Sequence, residues 1–260
     1  MNIKIIKNRS DIGAGTRGSD MGIDAIEIAA INQNNDFFHR HAFVDVKTHN
    51  ESIYHKNTNN FAKRIEHVKE QCQRVSDVVK ETILSGAFPI VLSGDHSSAL
   101  GTISGIKAAN PDKTIGVIWI DAHADLHSPY TSPSGNIHGM PLAAAMNLDN
   151  IEAKINEPGE ITAQQWDELK SIGISGPKII PAHLVYFGLR DFETAEKQII
   201  DQHEILFFEV EETRAKGLEF CIQKAINQLN SCDQIYISFD VDSLDSSISM
   251  GTGTPVANGL

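Results

Sequence analysis

The segment Thr114 to Ile120 (TIGVIWI) runs without a break into Asp121-Ala122-His123-Ala124-Asp125. Such an apolar run, with β-branched and aromatic side chains and no proline, reads as a strand buried on both faces, and strands of that kind belong to parallel sheets. In open α/β sheets the binding crevice lies beyond the carboxyl ends of the strands, so side chains leaving that edge are placed to form a site. Asp, His and Asp at alternate positions supply oxygen, nitrogen and oxygen donors. That mixture suits a divalent metal of intermediate hardness such as manganese.

Taken alone, D-x-H-x-D is better read as a polar turn with a capping Asp. Two further stretches change the balance. Phe88 to Leu92 runs into Ser93-Gly94-Asp95-His96-Ser97, and Gln234 to Phe239 runs into Asp240-Val241-Asp242. Each is again an apolar strand that ends in Asp or His, and clustered carboxylates repel one another unless a cation compensates them. The candidate ligands are therefore His96, Asp121, His123, Asp125, Asp240 and Asp242. One ion rarely takes four carboxylates and two imidazoles, whereas two ions sharing carboxylates would use them all. Such a pair lowers the pKa of a bridging water, which makes the expected reaction a hydrolysis. A closed structural zinc site is excluded by the absence of cysteine from the set.

The rest of the chain alternates strand and helix. Strands are expected at Ile3 to Ile6, Ala42 to Val46, His183 to Leu189 and Ile205 to Phe208. Helices are expected at Ile23 to Ile31, Phe61 to Ser85, Ser97 to Ala109, from Pro141, from Glu193 to His203, and from Val210 to Leu229. In the second of these, Ile65, Val68, Cys72, Val75, Val79 and Ile83 recur every three or four residues, with Gly86 as the terminating residue. Trp166 reads as a packing residue. The glycines of Ser10 to Gly22 match neither phosphate-loop pattern, which argues against a nucleotide site. The pattern predicts a three-layer α/β/α sandwich with a mostly parallel sheet.

Lys and Arg number 22 against 34 Asp and Glu, a net charge of −12 that excludes a nucleic-acid partner. The amino terminus lacks the apolar region of a signal peptide and no apolar run reaches transmembrane length, so neither a membrane association nor secretion is expected and the chain reads as cytoplasmic. Cys72, Cys221 and Cys232 show no metal-binding or disulfide spacing.

Gly94-Asp95-His96-Ser97, Asp121-Ala122-His123-Ala124-Asp125, Ser134-Gly135-Asn136-Ile137-His138-Gly139, and Ser238-Phe239-Asp240-Val241-Asp242 with Gly253-Thr254-Pro255 resemble the signature segments of the arginase or ureohydrolase family. The resemblance implies a single arginase-like domain over residues 1–260, a pair of manganese ions (other divalent metals being possible), a small-molecule guanidino substrate and a homo-oligomer, trimeric or hexameric. It implies hydrolysis of L-arginine to L-ornithine and urea, with Asp125 hydrogen-bonded to the attacking hydroxide and His138 as proton shuttle. Ser134 and Asn136 would hold the substrate carboxylate without adding charge beside the metals. The same resemblance makes His127, Glu193, Glu196 and Thr254 substrate contacts, although an exposed helical Glu is an equally good account of Glu196.

Three departures from the family pattern stand out. His127 replaces a common Asn, Glu193 replaces a common Asp, and the chain is expected to lack a C-terminal segment that supplies a helix, a strand and a Glu orienting the guanidinium. The first two favour, as an alternative, formiminoglutamate or another guanidino acid as substrate. The third favours a metal-binding but catalytically impaired family member.

Overall fold

The computed structural model describes residues 2–260. Its strands are β1 (Ile3–Asn8), β2 (Ala42–Asp45), β3 (Phe88–Ser93), β4 (Ile115–Ile120), β5 (Leu184–Phe187), β6 (Leu206–Phe208) and β7 (Gln234–Phe239). Its helices are α1 (Gly22–Asn32), α2 (Phe37–Arg40), α3 (Ile65–Leu84), α4 (Ser98–Ala109), α5 (Pro141–Met146), α6 (Glu160–Lys170), α7 (Thr194–Gln202), α8 (Val210–Lys216) and α9 (Leu218–Gln228). Every strand pairing is parallel, as the buried run of β4 requires. The strands form two sheets, ordered β2-β1-β3 and β6-β5-β4-β7, where a single sheet was expected. β3 and β7 each pair on one side only.

Alternation along β4 and β5 builds the layers. Ile115, Val117 and Trp119 of β4, with Leu184 and Tyr186 of β5, face a core that includes Ile103 of α4, Leu142 of α5 and Trp166 of α6. The intervening Ile118 and Ile120, with Val185 and Phe187, face Phe208 and the buried side of α9. Helices therefore cover both faces of this sheet. Trp166 is fully buried, as expected of a packing residue, and its indole N–H donates to Asp149 Oδ1 at 2.7 Å.

The helix expected from Phe61 begins at Ile65. Asn59 Oδ1 accepts from the backbone N–H groups of Phe61 and Ala62 and so holds that stretch as a turn. The single helix expected over Val210 to Leu229 is two helices, separated at Gly217, whose φ of 87° no right-handed helix admits. At the other helix boundary, Gly86 follows α3 with φ 78°, the left-handed conformation expected of a terminating glycine.

α4 lies unusually close to α3. A Cβ on Gly101 would stand 2.6 Å from the carbonyl oxygen of Cys72, and one on Gly105 would stand 2.5 Å from that of Ser76. Glycine lowers helix propensity, so its use here is explained by the backbone contact it permits. Because α4 follows directly from the loop that carries His96, this contact also sets where that loop sits. Gly105→Ala is expected to destabilise the fold by about 1–3 kcal/mol through overpacking against backbone that cannot move aside. A lowered midpoint in denaturant unfolding, with an unchanged slope, is the measurement.

Candidate metal centre

The carboxyl ends of β3, β4 and β7 deliver the six candidate ligands to one place. His96 Nδ1 lies 2.9 Å from Asp121 Oδ2, 3.1 Å from Asp125 Oδ2 and 3.1 Å from Asp240 Oδ2. His123 Nδ1 lies 3.1 Å from Asp242 Oδ2 and 3.5 Å from Asp121 Oδ1. Asp121 thus presents one oxygen to each imidazole and belongs to both donor groups, His96-Asp121-Asp240 and Asp121-His123-Asp242. Donors separated by roughly 3 Å are spaced as neighbouring ligands around one ion with bonds of about 2.1 Å. Two such groups joined through one carboxylate are compatible with a binuclear metal site.

A second observation points the same way. His96 Nδ1 and Asp125 Oδ2 are buried and neither has a hydrogen-bond partner. Buried polar atoms are ordinarily paired, so two orphans facing each other across 3.1 Å mark a place for a further group. The donor chemistry fits a cation: four carboxylates and two imidazoles, with no thiolate.

The orientation of His96 is set from behind. Its Nε2 lies 2.7 Å from Ser238 Oγ on β7, and its ring stacks on Trp119 of β4 at a centroid distance of 4.1 Å. The Trp119 indole N–H in turn donates to Asp121 Oδ2 at 2.9 Å. Asp242 is held by the N–H of Ala122 at 3.3 Å and by the Thr254 hydroxyl at 3.0 Å. Asp125 sits at φ 54°, left-handed backbone that costs a non-glycine residue about 1–3 kcal/mol and persists only where neighbours enforce it. Those neighbours are identifiable. Glu196 Oε1 accepts from Leu126 N at 3.0 Å, Gly139 O accepts from His127 N at 3.0 Å, and Ala124 O accepts from the Tyr186 hydroxyl at 2.6 Å.

Charge accumulates accordingly. Burial by itself would lower the pKa of His123, but the carboxylates of Asp121 and Asp242 outweigh it and push the value to about 11. His96 is likewise raised well above the usual imidazole value, with burial opposing and Asp121, Asp125 and Asp240 prevailing. Burial raises Asp125 and, aided by neighbouring carboxylates, brings Asp242 to about 6.

His138, Asn136 and Thr254 line a cleft of about 300 Å³ together with His96, Asp240 and Gly15. The Asn136 side-chain oxygen is buried there without a partner, while Ser134 is exposed and its Oγ accepts from Asn136 N at 3.2 Å. His127, Glu193 and Glu196 do not line this cleft. They form a cluster of their own, with His127 Nε2 2.9 Å from Glu193 Oε2 and 3.5 Å from Glu196 Oε2. Glu196 is only 3% exposed, which overturns the reading of it as a solvent-facing helical residue. Both of its oxygens accept backbone N–H groups, from Leu126 and from Glu193, the latter as part of the capping box of α7.

Ser238, Trp119, Tyr186 and Asp95 are supporting groups that the sequence pattern does not single out. Asp95 accepts from Gly13 N at 3.0 Å and so ties the glycine-rich loop to the end of β3, while Gly13 O accepts from His138 N at 3.1 Å. That loop therefore organises the site from within the protein. Ser238 and Asp95 lie inside the motifs, one residue or two from a ligand, and that proximity was the available signal.

Two outcomes are expected. Ser238→Ala removes the partner that orients His96 and should weaken divalent-cation binding about 10–100-fold, read by calorimetric titration. Cations must displace the protons held by His96 and His123, so affinity should rise with pH between 6 and 8 by about tenfold per unit for each proton expelled. Titration in buffers of different ionisation enthalpy counts the released protons; a pH-independent affinity would contradict this.

Residues 2–260 match a family model described as the arginase family. The chain is 33% identical to an arginase of Bacillus caldovelox over 99% of its own length and 81% of that relative, and 34% identical to an arginase of Bacillus subtilis strain 168 over 99% and 81% respectively. The solved native structure of arginase from Bacillus caldovelox superposes with a TM-score of 0.85 at 33% identity, over 100% of this chain and 82% of that one.

Proposed function

Since the chain belongs to the arginase family, we propose that it is a manganese-dependent hydrolase that converts L-arginine to L-ornithine and urea. The observation that carries this reading is Asp121, whose two oxygens face His96 and His123 and so couple two donor groups into one centre. Likeness to arginases along the chain supports arginine over other guanidino or formimino acids as the substrate.

His96, Asp121, Asp125, His123, Asp240 and Asp242 would hold the two manganese ions. When bound, such a pair supplies a lowered pKa for water and a positive environment for charge developing at the reacting carbon. The residues of the chain do the remainder. Asp125 Oδ2, buried and unpaired, accepts a hydrogen bond from the attacking oxygen and orients it toward the guanidinium carbon. The C–N bond to the side-chain nitrogen breaks, a proton passes to that nitrogen, and the products are an amine and urea. His138, at the cleft, exchanges the proton with solvent, a role imidazole fills near neutral pH. Asn136 and Ser134 receive the amino acid's carboxylate, and Thr254 acts by holding Asp242. His127 and Glu193 stand outside this cleft, in the cluster they form with Glu196.

No helix among the described residues is long and apolar enough to cross a membrane. The three cysteines stand free, as thiols do in a reducing compartment, which supports a cytoplasmic location. Exposed apolar side chains on α1 (Ile26, Ile28, Ile31) and β7 (Ile235, Ile237) support a homo-oligomer.

Urea release from L-arginine by the manganese-loaded protein tests the assignment; turnover of formiminoglutamate or another guanidino acid, with none of arginine, would overturn it. His138→Asn should lower kcat by about 10²–10⁴-fold while metal content is retained. Asn136→Ala should instead raise KM for arginine more than it lowers kcat, as expected for a group that binds ground and transition states alike.

A further inference from the structure

Residues Ile12 to Gly15 of the glycine-rich loop are gripped at every position. Arg64 Nε donates to Ile12 O at 3.0 Å, and Arg64 Nη2 donates to Ala14 O at 3.3 Å. Between them Gly13 O accepts from His138 N at 3.1 Å. Gly15 lies against Asn136, where a Cβ would stand 2.6 Å from the side-chain amide nitrogen. The turn that ends in Arg64 also holds the loop on the far side of this contact. Lys63 N donates to Gly135 O at 2.7 Å, and the carbonyl oxygen of Asn60 occupies the space where a side chain on Gly135 would begin. Residues 59–64 therefore set the register of the two loops that meet at Asn136 and His138.

From this geometry we propose that Arg64 is a positioning residue for the hydrolysis. Its guanidinium fixes the glycine-rich loop, which in turn sets Asn136 for the amino acid's carboxylate and His138 for the proton. The inference rests on the roles given above to those two residues. Arg64 sits at φ 57° and ψ 29°, left-handed backbone that disfavours any side chain and suits glycine. It immediately precedes α3, where a capping side chain is ordinarily favoured, yet it makes no capping hydrogen bond. Its donors reach instead to the loop, and two nitrogens of one rigid fork take two carbonyl groups two residues apart. A lysine carries the same charge at a single point and cannot reproduce the fork. Asn136 Oδ1 is buried without a partner, which leaves packing on Gly15 to orient that amide. A displacement of about 1 Å in a substrate-positioning group costs up to about 10²-fold in rate, so the register of this loop bears directly on the reaction.

Arg64→Gly is the informative variant, because glycine accepts the backbone and deletes only the fork. In the manganese-loaded protein it should raise KM for L-arginine about tenfold, with a smaller fall in kcat and an unchanged midpoint of denaturant unfolding. The KM of Arg64→Lys should fall between those of wild type and Arg64→Gly. With no substrate present, hydrogen exchange read by mass spectrometry on peptides spanning residues 134–140 should be faster in Arg64→Gly than in wild type. A folded Arg64→Gly whose KM stays within about twofold of wild type overturns the proposal, even if its unfolding midpoint has dropped, since that marks a structural role alone. Should Arg64→Gly not fold, a KM for Arg64→Lys equal to that of wild type overturns it. Failure of the substrate reading is a separate result. A wild type that turns over a different guanidino or formimino acid undergoes the same comparison with that acid. One that turns over none leaves exchange to decide, and equal rates in wild type and Arg64→Gly then overturn the proposal.

Discussion

The site rests on one carboxylate shared between two imidazoles. Asp121 is 1% exposed and would be a heavy liability in isolation, yet its oxygens are engaged by His96, His123 and the indole of Trp119. Its pKa is held below the ordinary carboxylate range, because His123 and His96 outweigh the burial that would raise it. A carboxylate kept ionised in a closed place, with an unshared direction toward each of two donor groups, is what joins three strand ends into one centre.

That centre depends on backbone that would not hold its shape unaided. Asp125 occupies the left-handed region, and three peptide groups around it are held by partners: Leu126 on Glu196, His127 on Gly139, Ala124 on Tyr186. Arg190 closes the other side by donating to the carbonyl oxygens of Asp242, Val256 and Ala257 at 2.7, 2.9 and 3.0 Å, which draws the last residues toward the strand ends. The supporting contacts come from α7, from the glycine-rich loop and from the residues after β7. The candidate ligands come from three strand ends, whereas their orientation is a property of the surrounding shell.

The convergence of the candidate ligands was legible because two rules act over very short distances. A run such as β4 buries on both faces only in a parallel sheet, and side chains immediately after such a strand have one edge to occupy. The alternation of Ile118 and Ile120 with Val117 and Trp119 likewise follows from the pleat. Three features were less accessible. The separation of the strands into two sheets depends on which edges meet, and no residue of β3 or β7 encodes that by itself. The break at Gly217 competes with an apolar spacing that continues through it, and the turn at Asn59 uses side-chain acceptors that periodicity does not register.

Local order therefore settled which residues could be ligands, since a strand's end and its following side chains are neighbours in the chain. Distance in the chain decided the rest. Glu196 could be read equally as a solvated helical residue until the fold placed it under Leu126, 70 positions away. Ser238 meets His96 across 142 positions, and His127 meets Glu193 across 66. Such pairings depend on how helices and sheets pack, which makes them a property of the assembled core and leaves no periodic trace in the order of the residues.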